Sequence, residues 1–159
     1  MRFPPDLSRA VRADRTLRRL TTYVDPNGHA LPRVWDALLP VTDGFMVDLK
    51  ALDPDVHRRL TGRGNDLVLD SIRYLHDRNR LAEVRLLLVP GHNDSADQLE
   101  RTAAWLAALD PEVRVVGIGF RRHGVRPAFS GSPEATPELL ARAPVAREGA
   151  GAEDGKAHQ

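Results

Sequence analysis

FMVDLK, residues 45–50, and VRLLLVPGHND, residues 84–94, decide how this chain is read. Both are strand-like apolar runs interrupted by charge. A charge inside a run that should be buried is costly unless something compensates it, so it marks either a ligand site or a structural ion pair. Side chains alternate along a strand. Met46, Asp48 and Lys50 therefore share one face, and Val47 and Leu49 take the other. Arg85, Leu87 and Val89 share a face, opposite Leu86 and Leu88. If the purely apolar sets pack on helices, Asp48, Lys50 and Arg85 converge on one cavity. Two cations and a carboxylate suit a zwitterionic or anionic small molecule, with Lys as a point charge and Arg as a planar fork. The same spacing equally suits an Asp48–Lys50 ion pair bridged by Arg85.

Outward from these runs, helix and strand alternate. Leu7–Leu20 reads as a helix and Thr21–Val24 as a short strand ended by Asp25-Pro26-Asn27-Gly28. Leu31–Leu39 is a helix, Gly44–Leu49 a strand, and Pro54–Leu60 a short helix with Asp53 as cap and Pro54 at its first position. Leu67–Arg78 is amphipathic, Glu83–Val89 is a strand, Ser95–Leu109 is a helix, and Val113–Phe120 is the last strand. This order implies right-handed βαβ units and a parallel sheet. The fold class is α/β. It is either an open sheet or a partial (β/α) barrel, a half-barrel of about four strand–helix units, since a complete barrel typically needs about 250 residues. Residues 1–130 form this unit. Residues 131–159, rich in Pro, Gly, Ala and Glu, are expected to be a flexible tail.

Polar residues gather at the predicted strand ends: Asp25, Asp48 to Lys50, Gly91 to Asp94, and Arg121 to His123. That is the edge where parallel α/β folds bind ligands. His57, His76 and His158 are expected to face solvent, His29 to sit in a turn, and His92 and His123 to lie at strand ends. The histidines form no metal pattern, and Gly117-Ile118-Gly119 is too sparse for a phosphate loop.

Composition limits the function classes. With 23 basic and 22 acidic residues the formal charge is +1, which argues against a dedicated nucleic-acid or membrane-surface binder. The Arg-rich stretch Arg12–Arg19 contains Asp14 and no aromatic residue, and reads as a solvated helix face. No stretch approaches the roughly 20 apolar residues that span a bilayer. The N-terminus has no signal-peptide core, so the cytoplasm is the expected location. There is no cysteine, which excludes disulfides and thiolate metal sites from this sequence.

The strings FMVDLK, DPDVHRRLTG (53–62), SIRYL (71–75) and VRLLLVPGHNDS (84–95), in this order and spacing, resemble glycyl-radical-enzyme activases. These are radical S-adenosylmethionine enzymes of the pyruvate formate-lyase activating type. The likeness runs from Thr21 to Gly124, and IGFRRHGVR (118–126) resembles a less characterised activase subgroup. The resemblance implies a partial barrel holding S-adenosylmethionine against a [4Fe–4S] cluster, with a glycyl-radical enzyme as protein substrate. It implies that Lys50 holds the methionyl carboxylate, that Arg85 contacts the cofactor, and that Leu87 packs on its adenine. Asp25, Met46 (through its carbonyl) and Asp48 would hold a monovalent cation. The family often has Tyr-His at the position of Phe120-Arg121, and His123, two residues after Arg121, would take over that contact with the cofactor. Pro26 replaces a common hydroxyl ligand of the cation.

The cluster-binding Cys-x3-Cys-x2-Cys motif has no counterpart in this sequence. The iron–sulfur ligands are absent, and no catalytic residue is assigned. Three explanations are carried forward: a truncated gene or mis-called start, a split protein completed by another chain, or a degenerate relative. The first accounts best for a matched portion that keeps its site residues. A non-catalytic module that binds a small ligand or a partner on the same face is the alternative.

Overall fold

The two deciding segments are neighbouring strands at the centre of the sheet. The structure is a computed structural model that describes residues 5–123 and 125–143. Its elements are α1 (Pro5–Ala13), β1 (Tyr23–Val24), α2 (Pro32–Leu38), β2 (Gly44–Leu49), α3 (Pro54–Thr61), α4 (Asp66–His76), β3 (Leu81–Leu88), α5 (Ala96–Leu109), β4 (Val115–Gly119), a 3₁₀ turn at Pro127–Phe129 and α6 (Pro137–Ala141). The four strands form one sheet in the order β1-β2-β3-β4. Every pairing is parallel. This is the α/β half-barrel arrangement that the alternation of elements implies.

The period of two decides which face is covered. Phe45, Val47 and Leu49 of β2, and Val84, Leu86 and Leu88 of β3, are all buried. They pack with Trp35 of α2, Val68, Ile72 and Leu75 of α4, and Leu99 and Leu106 of α5, in two clusters. Each such side chain contributes about 1.5–3 kcal/mol on burial. Trp35 meets Phe45 edge-on at 5.4 Å and donates its ring N–H to Ser71 Oγ at 2.9 Å. Gly28, with φ of +72°, lies so close to this layer that a Cβ would sit 2.7 Å from Val47 Cγ1. Only glycine meets both conditions.

Helix ends follow local chemistry. Asp53 accepts from the backbone N–H of Asp55 and Val56 and caps α3, with Pro54 at the first position. Gly62 closes α3 in the left-handed conformation, where glycine carries no Cβ penalty. Ser95 caps α5 through Gln98 N.

Two expectations need correction. The helix expected through Leu20 stops at Ala13. Asp14 Oδ1 accepts from Thr16 N, Thr16 Oγ1 and Leu17 N, so the side chain takes the donors that a further helical turn would use. The tail expected to be flexible from Gly131 is ordered through its first part. Thr136 caps α6. Ala135, Leu139 and Ala143 are buried against Leu88 and Leu99, so this segment completes the covering of the sheet. Residues 144–159 lie outside the described residues. Among the described residues no helix is long and apolar enough to cross a membrane.

Candidate functional site at the strand ends

The uncovered face of the sheet carries the charge. Met46, Asp48 and Lys50 project there from β2, and Glu83, Arg85 and Leu87 from β3; all are half-buried. Tyr23 and Asp25 extend this face at the β1 edge, since Tyr23 pairs with Gly44 and its ring lies over that glycine. The charges are matched. Lys50 Nζ donates to Asp48 Oδ2 at 2.7 Å. Arg85 lies beside Asp48 in the ladder, yet its guanidinium turns to others. Its Nε donates to Glu83 Oε1 at 2.6 Å, its Nη1 pairs with Asp25, and its Nη2 reaches Met46 Sδ at 3.1 Å. The hydrogen bond to Glu83 is the main reason that the Arg85 pKa is raised still further. Glu83 also receives Arg114 Nε at 3.2 Å.

Past the carboxyl ends of the strands lies a cavity of about 480 Å³. Lys50, Leu87, Val89 and Phe120 supply the wall nearest the sheet, and His57, Thr61, Arg63 and Arg126 line it from the loops and α3. None of the residues lining it is acidic. Arg126 Nη2 donates to the Thr61 carbonyl, which holds the segment after β4 to the end of α3.

The predicted residues therefore separate into two groups. Lys50 and Leu87 stand together on the cavity wall. Asp25, Met46, Asp48 and Arg85 share the face but sit on the sheet, as a network of ion pairs. The convergence of Asp48, Lys50 and Arg85 on one cavity does not occur, because Arg85 has two carboxylates closer at hand on its own face. His123 is exposed in the turn after β4 and is not among the residues lining the cavity.

Three polar residues are buried here; the sequence placed Asn93 at this edge but singled out neither His57 nor Asn65 for it. His57, expected to face solvent, is 3% exposed, with Nδ1 at 3.3 Å from the Ala51 carbonyl. Desolvation is the largest reason that its pKa is lowered; Lys50 and His29 add to it. Asn65 donates to the carbonyls of Ala51 and Leu52 at 3.2 and 2.6 Å. Asn93 donates to the carbonyls of Lys50 and Leu87, both at 2.6 Å. The carbonyls of Lys50, Ala51 and Leu52 are thus all bound by buried side chains from three separate elements. His92 lies at the strand end as expected and is exposed, in an edge contact with Phe129, and its Nε2 lies 3.1 Å from Ser132 Oγ.

The residues present fit a carboxylate-bearing ligand with an apolar ring. Lys50 has three N–H donors and Asp48 occupies one of them. Leu87, Val89 and Phe120 offer apolar surface beside it. They do not fit an iron–sulfur cluster, which requires thiolates. Among the described residues no group of three or more His, Cys, Asp or Glu side chains is arranged to hold a metal ion.

The chain matches the radical SAM superfamily over residues 3–106. It is 36% identical over 96 residues to the pyruvate formate-lyase-activating enzyme of Staphylococcus aureus strain USA300, and to that of strain N315. The matched stretch is 60% of this chain and 38% of the relative's length, so the chain spans well under half of the curated proteins it matches. Among solved structures it is similar to the crystal structure of a domain of pyruvate-formate lyase-activating enzyme from Bacteroides vulgatus ATCC 8482. The TM-score is 0.68 at 20% identity, covering 87% of this chain and 81% of that one. At that identity the likeness speaks for the fold.

Proposed function

The chain belongs to the radical SAM superfamily, and on that premise we propose that it is the S-adenosylmethionine-binding, C-terminal part of a glycyl-radical-enzyme activase. The observation that carries this reading is the placement of Lys50 and Leu87 side by side on the wall of one cavity at the carboxyl edge of the sheet. Lys50 would hold the methionyl carboxylate and Leu87 would pack on the adenine. In this family the cofactor supplies a 5′-deoxyadenosyl group as the hydrogen-abstracting agent. This chain has no cysteine to hold the cluster that releases it. Its own residues are therefore assigned binding and orientation, and the chain alone is inactive. A glycyl-radical enzyme is the proposed protein partner.

The geometry suggests two revisions to the roles carried over by resemblance. Arg85, committed to Glu83 and Asp25, sets the shape of the face and reaches the cofactor only if it leaves them. A monovalent cation at Asp25, Met46 and Asp48 would compete with Arg85 for Asp25 and with Lys50 for Asp48.

Titration calorimetry of S-adenosylmethionine into the full chain tests the reading. Lys50→Ala should weaken binding by about 1.5–3 kcal/mol, the contribution of a charge-assisted hydrogen bond. His92→Ala should leave it unchanged. Equal, small losses would reduce Lys50 to a structural partner of Asp48. The second reading, a non-catalytic ligand- or partner-binding module, is favoured by the absence of cysteine. An in-frame Cys-x3-Cys-x2-Cys triad in the upstream DNA would decide for the activase.

A further inference from the structure

The ladder between β2 and β3 ends at the pair Leu49 and Leu86. The next pair along the two strands is Lys50 and Leu87, the two cavity-wall residues. One side chain takes over there. Asn93, in the loop between β3 and α5, donates from Nδ2 to the carbonyl oxygens of both Lys50 and Leu87, at 2.6 Å each. Its Oδ1 accepts from Val89 N at 2.7 Å. It is 4% exposed, and all three partners are backbone groups. The orientation of the amide follows from them: two carbonyls need donors, and one N–H needs an acceptor.

We propose that Asn93 is a positioning residue for the ligand site: its amide extends the sheet by one pair, fixes the spacing of Lys50 and Leu87, and lets them bind the two ends of one ligand as a unit. The neighbouring clamps support this. Asn65 and His57 bind the carbonyls of Ala51 and Leu52, so the peptide leaving Lys50 has no slack on that side either. A single Nδ2 that serves both strands makes their positions interdependent. Loss of the amide frees each end without removing a ligand contact. The ligand roles of Lys50 and Leu87 rest on the reading given under Proposed function.

The test uses the full chain. In the free protein, Asn93 Nδ2 should show through-hydrogen-bond NMR couplings to the carbonyl carbons of both Lys50 and Leu87. Asn93→Ala should shift those two carbonyl signals together. Binding is then followed for methionine, for adenosine and for intact S-adenosylmethionine. In Asn93→Ala the two fragments should keep their affinities within about twofold, while the intact molecule loses about tenfold, because linked ends gain only when their sites are held at a matching distance. Asn93→Asp, which keeps the acceptor for Val89 but sets an oxygen against both carbonyls, should lose at least as much affinity for the intact molecule as Asn93→Ala. A purely structural asparagine would weaken fragments and intact ligand by the same factor, and that result overturns the proposal. If a variant does not fold, the wild-type couplings still decide: a missing coupling to either carbonyl overturns it. If the wild-type chain binds neither fragment nor the intact molecule, the cofactor reading falls, while the couplings and paired carbonyl shifts still report on the positioning.

Discussion

On the helix-covered face of the two central strands, Phe45, Val47, Leu49, Val84, Leu86 and Leu88 are between 0 and 4% exposed. On the other face, one residue away each time, Met46, Asp48, Lys50, Glu83, Arg85 and Leu87 are half-buried and most of them are charged. The covered face is held by burial, which has no direction and asks only for apolar volume. The uncovered face is held by matched partners, each with a required geometry. The first face makes the fold. The second can exchange a partner for a ligand, because what it needs is a charge of the right sign rather than a particular atom.

Moving one charge by one residue breaks the comparison most severely. Val47→Asp places an unpaired carboxylate in a site with no exposure and should cost more than about 4 kcal/mol, leaving no cooperative urea transition. Met46→Asp, on the other face beside Arg85, should change stability by less than about 1 kcal/mol. Similar losses for the two would mean that the faces are not distinct environments.

Glu83→Ala comes next. It leaves two guanidinium groups without the carboxylate they share, one of them three-quarters buried. A loss of about 2 kcal/mol in urea denaturation is expected, with Glu83→Gln recovering part of it. If Glu83→Ala is neutral, the open face is simple solvated charge.

The smallest effect separates two histidines. His57 has a lowered pKa in the fold. The unfolded chain therefore binds its proton first, and stability falls as pH drops below about 6.5. His76 has a raised pKa, chiefly from its hydrogen bond to Asp110. Its contribution is fully present below about pH 6.5 and fades as pH rises through the raised value. Urea melts from about pH 5 to about pH 8 should show His57→Gln flattening the acid side, and His76→Ala removing less than about 1 kcal/mol on that same side. Parallel changes in the two variants would contradict the assigned environments.

The parts of this molecule that were legible in the sequence are those whose cause is local. β2 was readable at Gly44–Leu49 from alternation alone. Asp53 announced the start of α3, and the pair Asp94-Ser95 that of α5, where Ser95 is the cap, because a cap acts within three residues. The end of α1 was equally local, but Asp14 had to be read as a competitor for backbone donors rather than as one more polar residue on a helix face. His57, expected to face solvent, is buried. Its spacing to Leu60 and Thr61, three and four residues on, was the signal that it shares their side of α3. Asn93 was placed at the right edge, but its partners were out of reach. It holds Lys50 from 43 residues away, and no pattern around the loop names that partner. The same holds for Arg85, whose choice of Asp25 over the adjacent Asp48 depends on a strand 60 residues earlier.

The strand order, in which each strand lies beside the one before it, also bears on how the molecule comes together. Every new strand docks on an edge that already exists, so no pairing waits for a segment made much later. Each pairing closes one whole crossover, and parallel pairing of this kind forms more slowly than hairpins do. During synthesis the sheet would grow in one direction, from β1 towards β4, with Asn93 locking the β2–β3 rung only after the loop beyond β3 has emerged. A strand ahead of β1 would emerge first, and β1 would then dock on its edge without changing the rungs between β1 and β4.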